Sequence, residues 1–123
     1  MTARILLIED DPDALLAIEI LLSHLGYKVE TARNGREGLK MFRANAPDLV
    51  LTDIIMPEVE GIETIIAMRQ LRPDAKIVAM SGGGPMNRES LLDMTVKLGA
   101  TDSLAKPFDD DQLAQVVARS LAL

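Results

Sequence analysis

Short apolar runs alternate along this chain with longer segments in which apolar residues recur at helical spacing. Uninterrupted apolar runs of about four to eight residues are typical of strands that are buried on both faces of a parallel sheet. Four of these runs are followed directly by a polar residue that is able to do chemistry. The pattern predicts five strands, over residues 4–9, 28–32, 48–53, 76–81 and 101–105.

Each predicted strand is followed by a segment of helical length. Asp11 and Pro12 suit the cap and first position of the first helix, and Gly26 suits its end. The next three helices are predicted over about 35–46, 61–71 and 88–98, and the last begins near Asp109. Because alternating strands and helices connect through right-handed crossovers, we expect an α/β fold, with a doubly wound sheet and helices on both faces. The length suits the strand order 2-1-3-4-5.

Polar residues follow the ends of four predicted strands. Glu9 and Asp10 follow the first strand, Asp53 ends the third, Ser81 ends the fourth and Lys106 follows the fifth. Ligands of open parallel sheets bind beyond the carboxyl ends of the strands, at the point where the strand order reverses. In the order 2-1-3-4-5 that point lies between the first and third strands. The pattern therefore predicts one site at which three acids, a hydroxyl and a lysine meet.

Three carboxylates at one sheet edge would repel each other unless a cation lies among them. Two like charges about 5 Å apart cost roughly 3 kcal/mol at an effective dielectric of 20. Mg²⁺ prefers carboxylate, carbonyl and water oxygens, and Lys106 adds one further positive charge. Mg²⁺ together with a lysine stabilises a phosphoryl group during transfer. Asp53 is then the candidate nucleophile, because a carboxylate can form an aspartyl phosphate.

The composition restricts the alternatives. The 123 residues suit a single domain, and no apolar run approaches the roughly 20 residues that a membrane helix needs. The chain has no cysteine, and its net charge of −6 argues against direct binding of nucleic acid. One Tyr and two Phe offer no platform for a flat cofactor. The absence of a signal peptide and of disulfides favours a cytoplasmic protein.

The chain resembles the receiver domains of bacterial two-component response regulators. The resemblance covers essentially the whole chain, residues 1–123, and implies a flavodoxin-like fold and a single, stand-alone domain of the chemotaxis-regulator type. It rests on four motifs in chain order, namely Glu9-Asp10, Asp53-Ile54-Ile55-Met56-Pro57 followed by Gly61, Ser81, and Lys106-Pro107-Phe108.

The resemblance implies a Mg²⁺ site around a phosphoacceptor. Asp53 is similar to the phosphoacceptor of the family, which also contacts the ion. Asp10 is similar to the direct Mg²⁺ ligand, and Glu9 to a ligand that acts through water. The main-chain carbonyl of Ile55 would complete the protein ligands.

The resemblance also assigns the phosphoryl contacts and a switch. Lys106 would pair with phosphoryl oxygens, the Ser81 hydroxyl would donate to one of them on activation, and Pro107 would follow a cis peptide bond. Ser103 stands where the family often has Tyr or Phe, so the usual aromatic switch is missing. We expect the switch to use Ser81, Ser103 and the glycine-rich loop that begins at Gly82 instead.

Several polar residues have simpler explanations. Acids near a helix N-terminus are favourable through the helix dipole, which accounts for Asp11 and Asp13 and is an alternative for Asp10. The acids at 109–111 suit the cap and first turn of the last helix. His24 has no second histidine or cysteine near it in sequence, and we expect it to be solvated.

The leading hypothesis is a receiver that takes a phosphoryl group from a histidine kinase or a histidine phosphotransfer protein and then changes its binding to a downstream protein effector. Such a receiver catalyses its own phosphorylation and dephosphorylation and is not a turnover enzyme. One alternative is a phosphorylation-independent binding module. Another is a Mg²⁺-dependent aspartyl-phosphate phosphatase, which is disfavoured because Ile55 replaces an acid two residues after Asp53. Neither nucleic acid nor a membrane is an expected partner, and we expect a monomer or weak dimer.

Overall fold

A five-stranded parallel sheet forms the centre of the protein, in a computed structural model that describes residues 2–54, 60–81, 97 and 99–123. The strands are β1 (Arg4–Ile8), β2 (Lys28–Ala32), β3 (Leu49–Asp53), β4 (Ile77–Ser81) and β5 (Asp102–Ala105). Their order in the sheet is β2-β1-β3-β4-β5, which confirms the prediction, and all neighbours are parallel. The predicted range of β2 is matched, and the other four predicted ranges are longer than their strands by one residue.

Four helices of the described residues flank the sheet: α1 (Pro12–His24), α2 (Gly35–Ala44), α3 (Glu60–Leu71) and α4 (Asp110–Leu121). The helix that the sequence predicts over 88–98 lies outside the described residues, except at residue 97. α2 ends two residues before the predicted position, because Ala46 precedes Pro47 and a residue before proline disfavours helical backbone. No helix within the described ranges has the length and apolarity of a membrane span.

Side-chain caps begin α1 and α4 as the sequence predicts. The Asp11 carboxylate accepts a hydrogen bond from the backbone N–H of Asp13, and Pro12 occupies the first turn of α1. Asp109 caps α4 and forms a reciprocal capping box with its third residue. After α1 the chain reverses at Gly26, whose φ of 97° is a conformation that glycine adopts without strain.

Both faces of the sheet are buried because helices cover each of them. Successive residues of a strand point to opposite faces, so the four apolar residues of β1 fill two separate layers. The layer under α2 and α3 includes Leu6, Ile8, Phe42, Ile65, Met68 and Ile77. The layer under α1 and α4 includes Ile5, Leu7, Leu22, Leu51, Leu113 and Val117. Each fully buried Leu or Ile contributes about 1.5–3 kcal/mol to the stability of the fold. The sheet is therefore firmly packed on both faces and supports the residues at its edge.

The parallel register brings the carboxyl ends of the strands to one edge. Ile8 at the end of β1 is paired with Thr52, so Glu9 and Asp53 follow at the same level. In the neighbouring strand pair, Ser81 at the end of β4 lies opposite Ala105 at the end of β5. The polar residues that the sequence places at strand ends therefore share one edge of the sheet.

Candidate functional site

One lysine and two buried acids form a cluster at this edge. The Nζ atom of Lys106 lies 3.0 Å from Oδ2 of Asp53 and 3.1 and 3.3 Å from the two carboxylate oxygens of Glu9. These contacts are charge-assisted hydrogen bonds, in which the ammonium donates to both acids. Because the three residues belong to the ends of β1, β3 and β5, a single ammonium group connects three strands.

Asp10 completes a group of three acids at the same place. One carboxylate oxygen from each of Glu9, Asp10 and Asp53 lies within 4.8 Å of the others. Glu9 is only 1% exposed and Asp53 only 5%, whereas Asp10 is exposed to solvent. Three carboxyl groups thus lie together, and the ammonium of Lys106 contacts two of them, Glu9 and Asp53. This excess of negative charge in a buried setting is favourable for a bound cation.

The backbone holds both buried acids in place. The N–H of Glu9 donates to the carbonyl oxygen of Ala32 at 3.0 Å, which extends the β1–β2 ladder by one residue. Beyond Asp53, the N–H of Ile54 donates to the carbonyl oxygen of Met80 at 3.0 Å, which extends the β3–β4 ladder. The two acids are therefore parts of the sheet rather than of a free loop.

Gly61 packs directly against the backbone that carries Asp53. A Cβ atom on Gly61 would lie 2.6 Å from Cα of Ile54 and 2.8 Å from the carbonyl oxygen of Asp53. Both neighbours are main-chain atoms, so neither can rotate away. The sequence identified Gly61 only as part of a motif, whereas its physical role is to let α3 approach the end of β3.

The cluster changes the acidity of its members. Burial is the largest cause that raises the pKa of Glu9, to about 7, and the hydrogen bond and negative charge of Asp53 raise it further against the opposing effect of Lys106. Burial by itself would lower the pKa of Lys106, but Asp53 and Glu9 outweigh that effect and the pKa is raised. Lys106 therefore stays protonated, while Glu9 titrates near neutral pH when no cation is bound.

The three acids suit Mg²⁺ by their chemistry and their spacing. Mg²⁺ binds oxygen ligands at about 2.0–2.1 Å and keeps several of its waters. Carboxylate oxygens no more than 4.8 Å apart match such an ion when part of the contact is made through water. The exposed side chain of Asp10 leaves this edge open to solvent, so the waters have room.

Of the other predicted site residues, some lie within the described part of the chain and some lie outside it. The backbone of Ser81 ends β4, opposite Ala105 and therefore next to the strand end that leads into Lys106. Ile55 and Gly82 lie outside the described residues. The peptide bond between Lys106 and Pro107 is cis, as the resemblance implied.

Ser103 lies inside β5, two residues before its end, and is set back from the acid cluster. It is half-buried, and its N–H donates to Oδ1 of the preceding Asp102 at 2.8 Å. The other carboxylate oxygen of Asp102 accepts from Arg119 of α4, with Nη2 at 2.7 Å and Nε at 2.9 Å. Sequence reasoning missed this ion pair, since no periodic pattern connects a strand residue to one on a later helix.

Two residues that were assigned no role in the site lie apart from it. His24 is exposed in the last turn of α1, as expected. Asp13 lies in the first turn of the same helix, where an acid is favourable.

The described residues thus form a parallel α/β domain with three acids and a lysine at the carboxyl ends of its strands, which is where open parallel sheets bind their ligands. The family model described as the response regulator receiver domain matches residues 5–118 of this chain. The chain therefore belongs to the response regulator receiver domain family. Its fold and function are those of a phosphoacceptor signalling domain of two-component systems, as the sequence predicted.

Curated relatives of two kinds are similar to the chain. Chemotaxis protein CheY of Bacillus subtilis is 30% identical over 122 residues, which cover 98% of this chain and 99% of CheY. The transcriptional regulatory protein PrrA of Mycobacterium tuberculosis is 37% identical over 122 residues, which cover 98% of this chain but 49% of PrrA. The chain thus spans nearly the whole of one relative and about half the length of the other.

Solved structures agree on the fold. A CheY-like response regulator receiver domain protein from Methanospirillum hungatei superposes with a TM-score of 0.89 at 29% identity, covering 99% of this chain and 95% of that one. A response regulator receiver domain protein from Clostridium thermocellum gives a TM-score of 0.88 at 29% identity, covering 98% and 94%.

Proposed function

We propose that Asp53 accepts a phosphoryl group from a phosphorylated histidine of a kinase or phosphotransfer protein. The observation that carries this proposal is the position of Lys106, whose ammonium lies 3.0 Å from the Asp53 carboxylate at the open edge of the sheet. A lysine at this distance is able to reach oxygens that are added to Asp53. The buried carboxylate is also held firmly by the β3–β4 ladder, which favours a reproducible direction of attack.

The transfer follows from the chemistry of the groups. An Oδ atom of Asp53 forms a bond to phosphorus while the bond between phosphorus and the histidine nitrogen breaks, and the imidazole that leaves takes up a proton. Lys106 moves its hydrogen bond from the carboxylate to the new phosphoryl oxygens and offsets part of their charge. The same residues would also serve dephosphorylation, in which a water oxygen bonds to phosphorus, the bond between phosphorus and Asp53 breaks, and inorganic phosphate leaves.

We propose Mg²⁺ as the cofactor, held by Glu9, Asp10 and Asp53 and by the main-chain carbonyl of Ile55. The support is the group of three carboxylates within 4.8 Å of one another, with Glu9 acting through water. When bound, the ion supplies the positive charge that a phosphoryl group needs as it is transferred. Asp10 is the most accessible of the three acids, so an ion held there would stay open to solvent.

Activation would involve the Ser81 hydroxyl, which donates to a phosphoryl oxygen from the end of β4. The neighbouring Gly82 would give the chain after β4 the freedom to follow that hydrogen bond. Ser103 would take the place of the usual aromatic residue. The side chain that changes position on β5 would then be a small hydroxyl group and not an aromatic ring. The output is changed binding of a downstream protein effector or onward transfer to another histidine.

The first experiment measures the mass of the intact protein after incubation with acetyl phosphate, with and without Mg²⁺. We expect one phosphoryl adduct that depends on Mg²⁺ and disappears in Asp53→Asn. Asp74→Asn is the matched control, because Asp74 is an exposed aspartate outside the cluster and its variant should be labelled normally. Labelling of Asp53→Asn equal to that of the native protein would reject Asp53 as the acceptor.

A second experiment tests the metal assignment without any phosphoryl donor. Mg²⁺ should raise the melting temperature of the native protein, because a ligand that binds only the folded state stabilises it. Asp10→Asn should lose most of this increase, and Asp74→Asn should keep it. Equal responses of the native protein and Asp10→Asn would reject Asp10 as a ligand.

A further inference from the structure

Four basic residues form one exposed surface at the start and along the outer side of α2. We name Arg33, Arg36, Lys40 and Arg43 the basic α2 surface; all four are exposed. Residues 33–44 contain these four cations and the single acid Glu37, a net charge of +3. The chain as a whole carries −6, so the remainder carries −9. A compact positive region thus stands out on a strongly acidic domain.

The cations of this surface differ from most other cations of the described residues in the contacts they make. Among the described residues, Arg33, Lys40 and Arg43 form no ion pair, although Glu37 lies one turn before Lys40. Five cations elsewhere are engaged by carboxylates or by backbone carbonyls, namely Arg4, Arg69, Lys76, Lys106 and Arg119. The charges of Arg33, Lys40 and Arg43 therefore contribute little to holding the domain together.

An apolar depression lies between these charges. Arg36, Lys40 and Arg43 are spaced four and three residues apart, which places them on one side of the helix over a length of about 10 Å. With Leu39 and Ala44 they line a shallow cavity of about 550 Å³. The aliphatic stems of the long side chains provide its walls and their charged ends provide its rim.

A second cleft continues from the end of the first. It has a volume of about 410 Å³ and lies between the C-terminal ends of α2 and α3. Arg43 and Ala44 line both cavities, and the second also contains Leu71 and Arg72. Leu71 is 46% exposed, which is high for a large apolar residue. The two cavities adjoin at Arg43 and Ala44 and form one groove, with apolar surface at Leu39 and Leu71 and cations along its border.

We propose that the basic α2 surface and its adjoining cleft bind an acidic segment of a partner protein, one that carries carboxylates on either side of a large apolar side chain. The carboxylates pair with Lys40, Arg43 and Arg72, and the apolar side chain packs against Leu39 or Leu71. This proposal is independent of phosphoryl acceptance at Asp53.

The distribution of charge on the domain favours a short acidic segment over other anions. A nucleic acid or an anionic membrane extends well beyond about 10 Å and would meet the negative charge on the rest of the domain, which carries −9 in all. The surface also has no exposed aromatic residue on which bases would stack, since Phe42 is buried. Cations that follow one another along a helix match several separate carboxylates better than one phosphate.

The test uses a fluorescein-labelled peptide of repeated glutamate-glutamate-leucine units and measures its anisotropy with the full chain. We expect saturable binding that weakens at higher salt. Lys40→Glu/Arg43→Glu should weaken it about tenfold or more, because two attractions become repulsions. Lys28→Glu/Lys97→Glu is the matched control, since both lysines are exposed and the net charge changes equally. The control should change binding less than about twofold.

Several results would overturn the proposal. Equal loss of binding in the two double variants would reduce the effect to net charge. Equal binding of a peptide with glycine in place of leucine would show that the groove takes no apolar side chain. Binding to phosphatidylserine vesicles or single-stranded DNA that Lys40→Glu/Arg43→Glu abolishes, without binding of the peptide, would assign the surface to another kind of anion.

Controls on the variants keep the test decisive. Phosphoryl labelling at Asp53 should be unchanged in Lys40→Glu/Arg43→Glu, because neither residue touches the acid cluster, and the melting temperature should fall only slightly, because exposed charges contribute little to stability. Should that variant fold poorly, Lys40→Gln/Arg43→Gln removes the same two charges more gently and should weaken binding by about threefold to tenfold. Peptide binding by the glutamine variant equal to that of the native protein would overturn the proposal.

Discussion

The acid cluster and the basic α2 surface use charge in opposite ways. At the sheet edge one ammonium lies within 3.3 Å of two carboxylates, and both acids are almost completely buried. The four cations of the basic α2 surface are exposed to solvent, and Arg33, Lys40 and Arg43 form no ion pair with any described residue. Buried charges interact strongly and are costly to leave unpaired, whereas exposed charges are screened by water and salt.

The contrast separates the residues that affect the stability of this domain from the residues that are available to bind a partner. The acid cluster is crowded with negative charge, since three carboxyl groups lie together and the one ammonium contacts only two of them. A bound cation or a proton relieves the repulsion. The residues of the cluster therefore affect the free energy of unfolding, the pKa values and the phosphoryl chemistry together. Lys40 and Arg43 contribute little to the stability of the fold, which leaves their charges available to a partner.

Removal of Lys106 should have the largest effect on stability. Lys106→Met leaves the carboxylates of Glu9 and Asp53 buried without their cation, and breaking a buried pair costs about 3 kcal/mol or more. We expect a loss of about that size in the free energy of unfolding at pH 8 without Mg²⁺, measured by urea denaturation. The loss should be smaller at pH 5, where Glu9 is protonated. Lys28→Met, which changes an exposed lysine, should lose less than about 0.5 kcal/mol.

Glu9 should make the stability of the metal-free protein fall as pH rises. Its folded pKa of about 7 lies above its ordinary value of 4.5, so the folded state holds the proton more tightly. The stabilisation is complete below about pH 4.5 and is lost as pH rises through 7. From the size of the shift we expect a loss on the order of 3 kcal/mol relative to Glu9→Gln, measured in EDTA between pH 4.5 and pH 8. Parallel pH profiles of the two proteins would contradict the assignment.

Disturbing the contact between Gly61 and the end of β3 should lower the free energy of unfolding by nearly as much. Gly61→Ala places a Cβ 2.6 Å from Cα of Ile54, and overpacking against main chain costs about 2 kcal/mol. Because the shift must move the backbone of Asp53, phosphoryl labelling should slow as well. Gly38→Ala is the comparison variant, since its Cβ would overpack against the buried side chain of Ile8 and not against the main chain that carries Asp53. Equal slowing of phosphoryl labelling by the two substitutions would mean that the approach of α3 to β3 is unimportant for Asp53.

The sequence predicts most of the fold because burial on both faces leaves an unmistakable pattern. The run at Ile5–Ile8 has no polar interruption, and β1 lies where the run is. The convergence of Asp53 and Lys106 also follows from sequence, since parallel strands end at one edge. Small errors arise where local chemistry ends an element, as at Ala46 before Pro47, which ends α2 early.

Contacts between side chains were much harder to predict. The sequence places Glu9 and Lys106 at the same edge, but their separation of 3.1 Å depends on rotamers that no pattern records. The role of Gly61 depends on the distance between α3 and β3, which only the packed structure defines. The basic α2 surface was missed for another reason. Its signal, three cations spaced four and three residues apart, was present in the sequence at Arg36, Lys40 and Arg43 but belonged to no site of the receiver family.

Neutralising the basic α2 surface should have the smallest effect on stability, and this result would sharpen the contrast between the two regions. Lys40→Gln/Arg43→Gln removes the attraction of Arg43 to the C-terminal end of α2 and that of Lys40 to Glu37, together about 0.5 kcal/mol. Urea denaturation should therefore separate this variant clearly from Lys106→Met, although it loses twice as many positive charges. A loss as large as that of Lys106→Met would mean that Lys40 and Arg43 hold the domain together. These two cations would then be poorly suited to exchange their water for the carboxylates of a partner.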